Sequence, residues 1–134
     1  MCIRDRFSGE EARRLAQRYE APTLWDAFVG VLARDGVEVP DEVLHRDVHE
    51  PIVENEELQK IIIDRYGDES FAALCETLTD LDEGIQEWRY RHVMMVQRTI
   101  GAKMGTGGSG GASYLVTTLF KSAFPDLWAI RSEF

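Results

Sequence analysis

The sequence predicts an all-α protein, and two of its features support this fold class. Apolar side chains recur at alternating intervals of three and four residues between Phe71 and Thr99, the spacing that places them along one face of a helix. Helix-capping signals precede several shorter apolar patterns, whereas no segment alternates polar and apolar residues as a half-buried strand does. We therefore expect a helical bundle with one long helix at about residues 68–100, followed by a glycine-rich loop.

Capping residues mark the first two predicted helices. Ser8 and Glu11 have the spacing of a capping box, which predicts a helix over about Gly9–Tyr19. Thr23 and Asp26 repeat this spacing before LWDAFVGVLARDG, which predicts a helix of about twelve residues that ends at a glycine. The expected packing residues of this second helix are Leu24, Phe28, Val31 and Leu32.

The acidic segment 37–54 contains two prolines and little periodicity, which predicts a connection with one helical turn near Asp41–His45. Asn55 is a preferred capping residue, so the next helix is expected over Glu56–Tyr66. The expected inner face of that helix comprises Leu58, Ile61, Ile62 and Arg65.

The longest predicted helix carries the most regular apolar stripe. The stripe consists of Phe71, Leu74, Leu78, Leu81, Ile85, Trp88, His92, Met95 and Thr99. Such a seam is typical of a helix that faces a partner helix along its whole length. After the glycine loop a helix is expected over Ala112–Phe124, and Pro125 would begin a short turn through Trp128 and Ile130. The expected packing residues of Ala112–Phe124 are Tyr114, Leu115, Leu119 and Phe120.

The length of 134 residues suffices for one domain with its own core. Residues 1–6 (MCIRDR) lack apolar periodicity and are expected to be a non-native leader, which leaves residues 7–134 as a single helical domain and as the C-terminal part of a larger one. No apolar run approaches the ~20 residues that span a bilayer, so we expect no membrane segment. Cys2 and Cys75 have no metal-ligand spacing, which predicts free thiols in a cytoplasmic protein.

The net charge of -9 is unevenly distributed along the chain. Residues 1–88 contain 9 Lys/Arg and 22 Asp/Glu, whereas residues 89–134 contain 6 Lys/Arg and 2 Asp/Glu. An acidic body repels phosphates, which argues against a nucleic-acid partner. The basic C-terminal third suits a small anionic ligand, and ordinary solvated surface charge is the interpretation that charge alone favours.

His92 occupies a stripe position that Leu or Met would otherwise fill. We expect it on the buried face of the long helix, where an imidazole needs a hydrogen-bond or metal partner to offset desolvation. A neutral imidazole aimed into a cavity is also what an axial haem ligand requires. Spacing alone favours the simpler interpretation, a histidine that bonds a neighbouring side chain.

Other charged residues have two interpretations each. Arg89 and Arg91 flank the stripe and are expected either to pair with nearby carboxylates or to meet the propionates of a haem on this helix. His45 and His49 have the i, i+4 spacing of a helical metal site, but their irregular surroundings argue against one.

The segment GTGGSGG at residues 105–111 contains five glycines in seven residues. Such a loop allows backbone N–H groups to approach a ligand closely and to form an anion-binding nest. It is not a P-loop, because no strand precedes it and no Gly-Lys-Ser/Thr ends it. A ligand-binding loop and a flexible linker remain equally good interpretations of the composition.

Together these segments resemble one enzyme family. The chain contains WRYRH at 88–92, VQRTIG at 96–101, GTGGSGG at 105–111 and FPDLWAIR at 124–131, with YL between the last two. These segments are similar to the C-terminal part of the tryptophan 2,3-dioxygenase family. The resemblance covers about residues 20–134 and is strongest from Leu74 onward. The order of W-R-aromatic-x-H and GTGGS, about fourteen residues apart, is specific.

The resemblance implies an all-helical, homotetrameric, haem b enzyme. That family uses ferrous haem and O2 to open the indole ring of L-tryptophan, giving N-formylkynurenine in the first step of tryptophan catabolism. By resemblance, His92 corresponds to the proximal ligand of the haem iron and Trp88 to a residue packed near the proximal side. Thr106 corresponds to the residue whose hydroxyl and backbone hold the amino-acid end of the substrate. The residues that shape the loop around it are Gly107, Gly108 and Ser109.

The sequence departs from the family pattern at two places. The family usually has GTGGSSG, whereas Gly110 replaces the second serine here. The family's distal wall, with its histidine, aromatic residues and carboxylate-binding arginine, has no match in residues 1–70. The resemblance therefore implies no catalytic residue in this segment and no catalysis by this polypeptide alone. Two alternatives stay open: a related haem enzyme acting on another aromatic amino acid or indole, and a non-catalytic helical interaction module.

Overall fold

The computed structural model describes residues 8–103 and 111–134, and every regular element in these ranges is helical. The all-α prediction is therefore confirmed. The elements are α1 (Gly9–Glu20), α2 (Leu24–Arg34), α3 (Asp41–Leu44), α4 (Glu56–Arg65), α5 (Glu69–Ile100), α6 (Ala112–Val116), α7 (Pro125–Ala129) and a final 3-10 helix (Ile130–Glu133). None of these helices combines the length and apolarity needed to cross a membrane.

Helices α1 and α2 begin at the predicted capping boxes. The Glu11 amide donates to Ser8 Oγ at 3.3 Å, and the Ser8 amide donates to the Glu11 carboxylate at 2.8 Å. The same reciprocal pair joins Thr23 and Asp26 at the start of α2. At its other end, α2 is followed by Gly36 with a φ of 82°. A Cβ at Gly36 would meet nothing within 4 Å, so its backbone conformation rather than crowding calls for glycine.

The residues cluster into two compact units, which we describe separately. The core unit comprises Arg18–Asp80 and Ala123–Phe134, and the histidine unit comprises Leu81–Ser122 with the described part of Met1–Gln17. Helices α1 and α5 contribute residues to both units. The expectation of a single domain over residues 7–134 stays a prediction.

Four aromatic rings form the centre of the core unit. Phe28 lies with its ring centroid 6.1 Å from Phe71 and 6.2 Å from Phe124, and Trp25 packs beside it. The predicted face of α2 is wrong at one position, because Leu24 is 52% exposed while Trp25 is buried. Turning α2 toward Trp25 removes more apolar surface from water than turning it toward Leu24.

The irregular segment 37–54 is held to α2 by Arg46. Its guanidinium donates to both carboxylate oxygens of Asp26, at 2.8 and 3.0 Å. It also donates to the backbone carbonyls of Asp47 and Glu50. The Arg46 side chain is only 11% exposed, so these bonds form where water competes little.

Asp126 ties α7 to the start of α4. One oxygen of its buried carboxyl accepts from the Asn55 amide at 2.8 Å and from the Gln59 side chain at 2.9 Å. Asn55 also caps α4 as predicted, because its side chain accepts from the Leu58 amide at 2.9 Å. A residue near the C-terminus thereby fixes the point at which an earlier helix begins.

The helix predicted over Ala112–Phe124 is shorter than expected. It ends at Val116 and continues as turns, with the Thr118 amide bonding to the Leu115 carbonyl at 3.0 Å. The hydroxyls of Thr117 and Thr118 donate to carbonyls three residues earlier, which offers the backbone an alternative to continuing the helix. The expected packing residues are also partly wrong, since Tyr114 is 55% and Phe120 91% exposed.

Candidate functional site

The apolar stripe of α5 is covered in one unit and open in the other. In the core unit Phe71 and Leu78 are buried, as the seam predicts. In the histidine unit Leu81, Trp88 and Met95 are 46%, 63% and 57% exposed. The prediction that the seam is buried along its whole length is therefore wrong for its second part.

In the histidine unit a different face of α5 makes the packing contacts. Val93 is buried, and because it follows His92 it lies about 100° around the helix from it. Asp82 lies on the same side as Val93 and accepts a hydrogen bond from the Ser122 hydroxyl at 2.5 Å. Arg89 donates from this side to the carbonyl oxygens of Thr118 and Lys121. The segment after α6 therefore packs beside the stripe and leaves the stripe exposed.

His92 lies in the middle of this open face. It is half-buried rather than buried, and its ring stacks on Trp88 with centroids 5.0 Å apart and planes 9° from parallel. Within the described residues, the His92 nitrogens make no hydrogen bond or ion pair. The predicted hydrogen bond to a neighbouring side chain is therefore not found there, and the imidazole keeps a nitrogen lone pair for a ligand.

The other two histidines, His45 and His49, lie in the core unit. His49 Nε2 lies 2.9 Å from the Glu20 carboxylate, and its ring stacks on Tyr19 with centroids 4.3 Å apart. His45 follows the last residue of α3. Among the described residues no group of three His, Cys, Asp or Glu side chains is arranged to hold a metal ion.

The glycine loop lies mostly outside the described residues. The predicted substrate-binding residues Thr106, Gly107, Gly108 and Ser109 all fall within 104–110, so their roles stay predictions. The flanking glycines are described. Gly101 after α5 has a φ of 59° and Gly111 before α6 has a φ of 63°, conformations that a residue with a side chain rarely adopts.

Two arginines border the open face of α5 beside His92. Arg91 and Arg98, together with Met95 and Thr99, line an open groove of about 450 Å³. Arg91 pairs with Glu87 at 3.1 Å, as the surface-pair interpretation predicts. Arg89 pairs with no carboxylate of the described residues, and its guanidinium donates to backbone carbonyls instead. Sequence reasoning overlooked Arg98, although its i, i+7 spacing from Arg91 was a usable signal.

Comparison with known proteins identifies the family. A sequence model of tryptophan 2,3-dioxygenase matches residues 61–134, more than half of the chain. The chain belongs to the tryptophan 2,3-dioxygenase family. It is 54% identical over 121 residues to the tryptophan 2,3-dioxygenase of Herpetosiphon aurantiacus, covering 90% of this chain and 46% of that protein. It is 52% identical to that of Anaeromyxobacter sp. strain K (88% and 44% covered) and 38% identical to that of Caulobacter vibrioides (92% and 49% covered).

The tryptophan 2,3-dioxygenase match coincides with the open face and the loop. The matched residues 61–134 contain the whole of α5, including His92, and the glycine segment after it. The chain spans about half the length of the curated relatives it matches. The resemblance of the sequence motifs to this family is thus confirmed.

Proposed function

We propose that this chain is the haem-carrying part of a tryptophan 2,3-dioxygenase that opens the indole ring of L-tryptophan with O2 to give N-formylkynurenine. The family match across α5 and the loop supports this function, since it includes both His92 and GTGGSGG. When bound, ferrous haem b supplies the iron at which O2 reacts. We assign the binding of that haem, but no catalytic residue, to this chain.

The observation that carries the proposal is that the imidazole of His92 has no hydrogen-bond partner among the described residues. An axial ligand must offer a neutral nitrogen, and no described residue occupies the nitrogens of His92. Trp88 restricts the rotation of the imidazole by stacking on it, with a centroid distance of 5.0 Å. Leu81 and Met95 extend an exposed apolar face on either side. A flat apolar macrocycle would cover this face and exclude water from it, so the residues present fit a haem.

The glycine loop is proposed to hold the amino-acid end of the substrate. The Thr106 hydroxyl and the backbone N–H groups of Gly107, Gly108 and Ser109 are donors suited to a carboxylate. Gly101, four residues before the loop, and Gly111, its last residue, have positive φ angles of 59° and 63°, backbone conformations that glycine adopts without strain. Closing this loop over bound tryptophan would exclude water from the reacting ring.

A cytoplasmic homotetramer is part of the same proposal. The support is membership of the family and the buried free thiol of Cys75, a form that cysteine keeps in a reducing compartment. Light scattering of the purified haem-loaded protein measures its mass, and a mass of four chains is the expected result.

A titration with haemin tests the assignment of His92. We compare the wild-type chain with His92→Ala, following the Soret band after reduction. His49→Ala is the matched control, because His49 already pairs with Glu20 in the core unit. We expect saturable binding that weakens more than about tenfold in His92→Ala and is unchanged in His49→Ala. Equal binding by all three proteins, or by none, would rule out this function.

The exposed face of α5 also suits the second candidate, a non-catalytic helical interaction module. Its exposed Trp88 and Met95 would then contact another protein rather than a haem. This candidate predicts no Soret band at any haemin concentration. A related haem enzyme acting on another aromatic amino acid or indole would bind haemin through His92 but would show a spectral response to that compound and none to L-tryptophan.

A further inference from the structure

The groove between Arg91 and Arg98 is a second binding feature of the histidine unit. We propose that these two arginines bind the carboxylates of the haem and so set its orientation on α5. This inference rests on the proposed function, because it concerns the same ligand. His92 would bind the iron, and the two arginines would in addition bind the edge of the haem that carries its carboxylates.

The two arginines lie on the same side of α5. They are seven residues apart, which is about two turns of helix and about 10 Å along its axis. Met95 lies between them along the helix, and Met95 and Thr99 complete the lining of the groove of about 450 Å³. Two arginines on one side of a helix, each with a long and flexible side chain, suit a ligand that presents two flexible carboxylates on one edge.

The groove adjoins the face that carries His92. Met95 and Thr99 belong both to the groove lining and to the apolar stripe, three and seven residues after His92. Arg91 precedes His92 and lies about 100° around the helix from it. Val93, on the opposite flank, is buried. A flat ligand over the stripe can therefore direct charged groups toward the arginine flank and not toward the packed flank.

The guanidinium groups are available for a ligand. Among the described residues Arg98 makes no hydrogen bond or ion pair. Arg91 pairs with Glu87, but the two side chains are 77% and 62% exposed, and such exposed pairs contribute little. A carboxylate held by both nitrogens of an arginine in a partly dry site replaces such a pair readily.

Arg89 gives the contrast within the same helix. It is bound to the carbonyl oxygens of Thr118 and Lys121, so its charge already has partners from this chain. We therefore assign Arg89 to the packing of the histidine unit, and Arg91 with Arg98 to the ligand.

The test compares haemin with haemin dimethyl ester, in which both carboxylates are esterified. We titrate the wild-type chain, the double variant Arg91→Gln/Arg98→Gln and the control Arg14→Gln by Soret absorbance. Arg14 is a matched control, since it forms an exposed i, i+4 pair with Glu10 as Arg91 does with Glu87. Wild type and control should bind haemin about tenfold or more tightly than the ester. The double variant should bind both compounds alike, and raising the salt concentration should weaken only the binding of haemin to wild type and control.

The outcomes separate this inference from the function on which it rests. If both compounds bind with equal affinity to the wild-type chain and both require His92, the arginine site is refuted and the axial role stands. If the double variant still binds haemin more tightly than the dimethyl ester, other residues recognise the carboxylates and the inference fails. If neither compound binds, or if the affinity is unchanged in His92→Ala, the proposed function fails together with the inference.

Discussion

The two parts of α5 differ in what covers one continuous apolar pattern. In the core unit Phe71 packs on Phe28 and is 5% exposed, and Cys75 beside it is fully buried. In the histidine unit Trp88 occupies the same stripe and is 63% exposed. Periodicity therefore predicts the helix equally well in both parts, whereas burial depends on which side the neighbouring segments pack. The covered part contributes to the stability of the core unit, whereas the side chains of the open part remain exposed.

The arginines repeat this contrast. Arg46 in the core unit is 11% exposed and donates to a carboxylate and to backbone carbonyls. Arg91 in the histidine unit is 77% exposed with one exposed partner, and Arg98 has no partner among the described residues. A guanidinium that is satisfied within the chain holds the fold together, and one that is not satisfied is available to an anion.

The largest expected difference between the two parts comes from truncating an aromatic residue in each. Phe71→Ala should lower the free energy of unfolding by about 3–5 kcal/mol, because it leaves a cavity beside Phe28 and removes the ring beneath the Arg65 guanidinium. Trp88→Ala on the same helix should change it by less than about 0.5 kcal/mol. Urea unfolding followed by far-ultraviolet circular dichroism measures both. Similar losses in the two variants would show that the stripe is equally covered in solution.

A smaller difference is expected between two arginines. Arg46→Gln should cost about 2–3 kcal/mol, because Asp26 would keep a half-buried charge without its cationic partner. Arg91→Gln should cost less than about 0.5 kcal/mol, as expected for one member of an exposed pair. The same urea titrations compare them. A loss at Arg91 as large as that at Arg46 would contradict the contrast and assign Arg91 to the fold rather than to a ligand.

Local signals in the sequence predicted most of the helix boundaries. The capping boxes at Ser8 and Thr23, the cap at Asn55 and the terminating Gly36 are all observed. These signals succeed because a cap satisfies backbone groups that the helix itself leaves unpaired, within three or four residues of chain. The apolar stripe also predicted helix α5 correctly, because assigning a helix requires only that apolar residues recur with the helical period.

Contacts between distant segments could not be predicted in this way. Nothing near Arg89 in the sequence indicates that the carbonyls of Thr118 and Lys121 would be its partners, about thirty residues later. That packing uses the Val93 side of α5 and leaves His92 half-buried, contrary to the expectation from the stripe. The motif around His92 gave the family, because motif recognition does not depend on where neighbouring segments pack.

The smallest effect concerns a buried charge, and it appears as a dependence on pH. Burial raises the pKa of the Asp126 carboxyl, and the nearby Glu54 raises it further, although the bonds from Asn55 and Gln59 act in the opposite direction. Asp126 therefore holds its proton more tightly in the folded than in the unfolded chain. The resulting stability is present below the unfolded pKa and is lost as the pH rises through the folded pKa.

Asp126→Asn removes this titration and keeps an oxygen that accepts from Asn55 and Gln59. The variant places an amide nitrogen at the position of Oδ2, which has no hydrogen-bond partner among the described residues, and the cost of this replacement does not vary with pH. Wild type should thus lose stability relative to the variant as the pH rises above about 4, the ordinary pKa of an aspartate in an unfolded chain, as measured by urea midpoints. The control Asp64→Asn, at an exposed position of α4, should show no such trend. A difference between wild type and Asp126→Asn that stays constant with pH would mean that Asp126 ionises in the folded chain as readily as in the unfolded one. The bonds from Asn55 and Gln59 would then be sufficient to stabilise a buried carboxylate in the core unit.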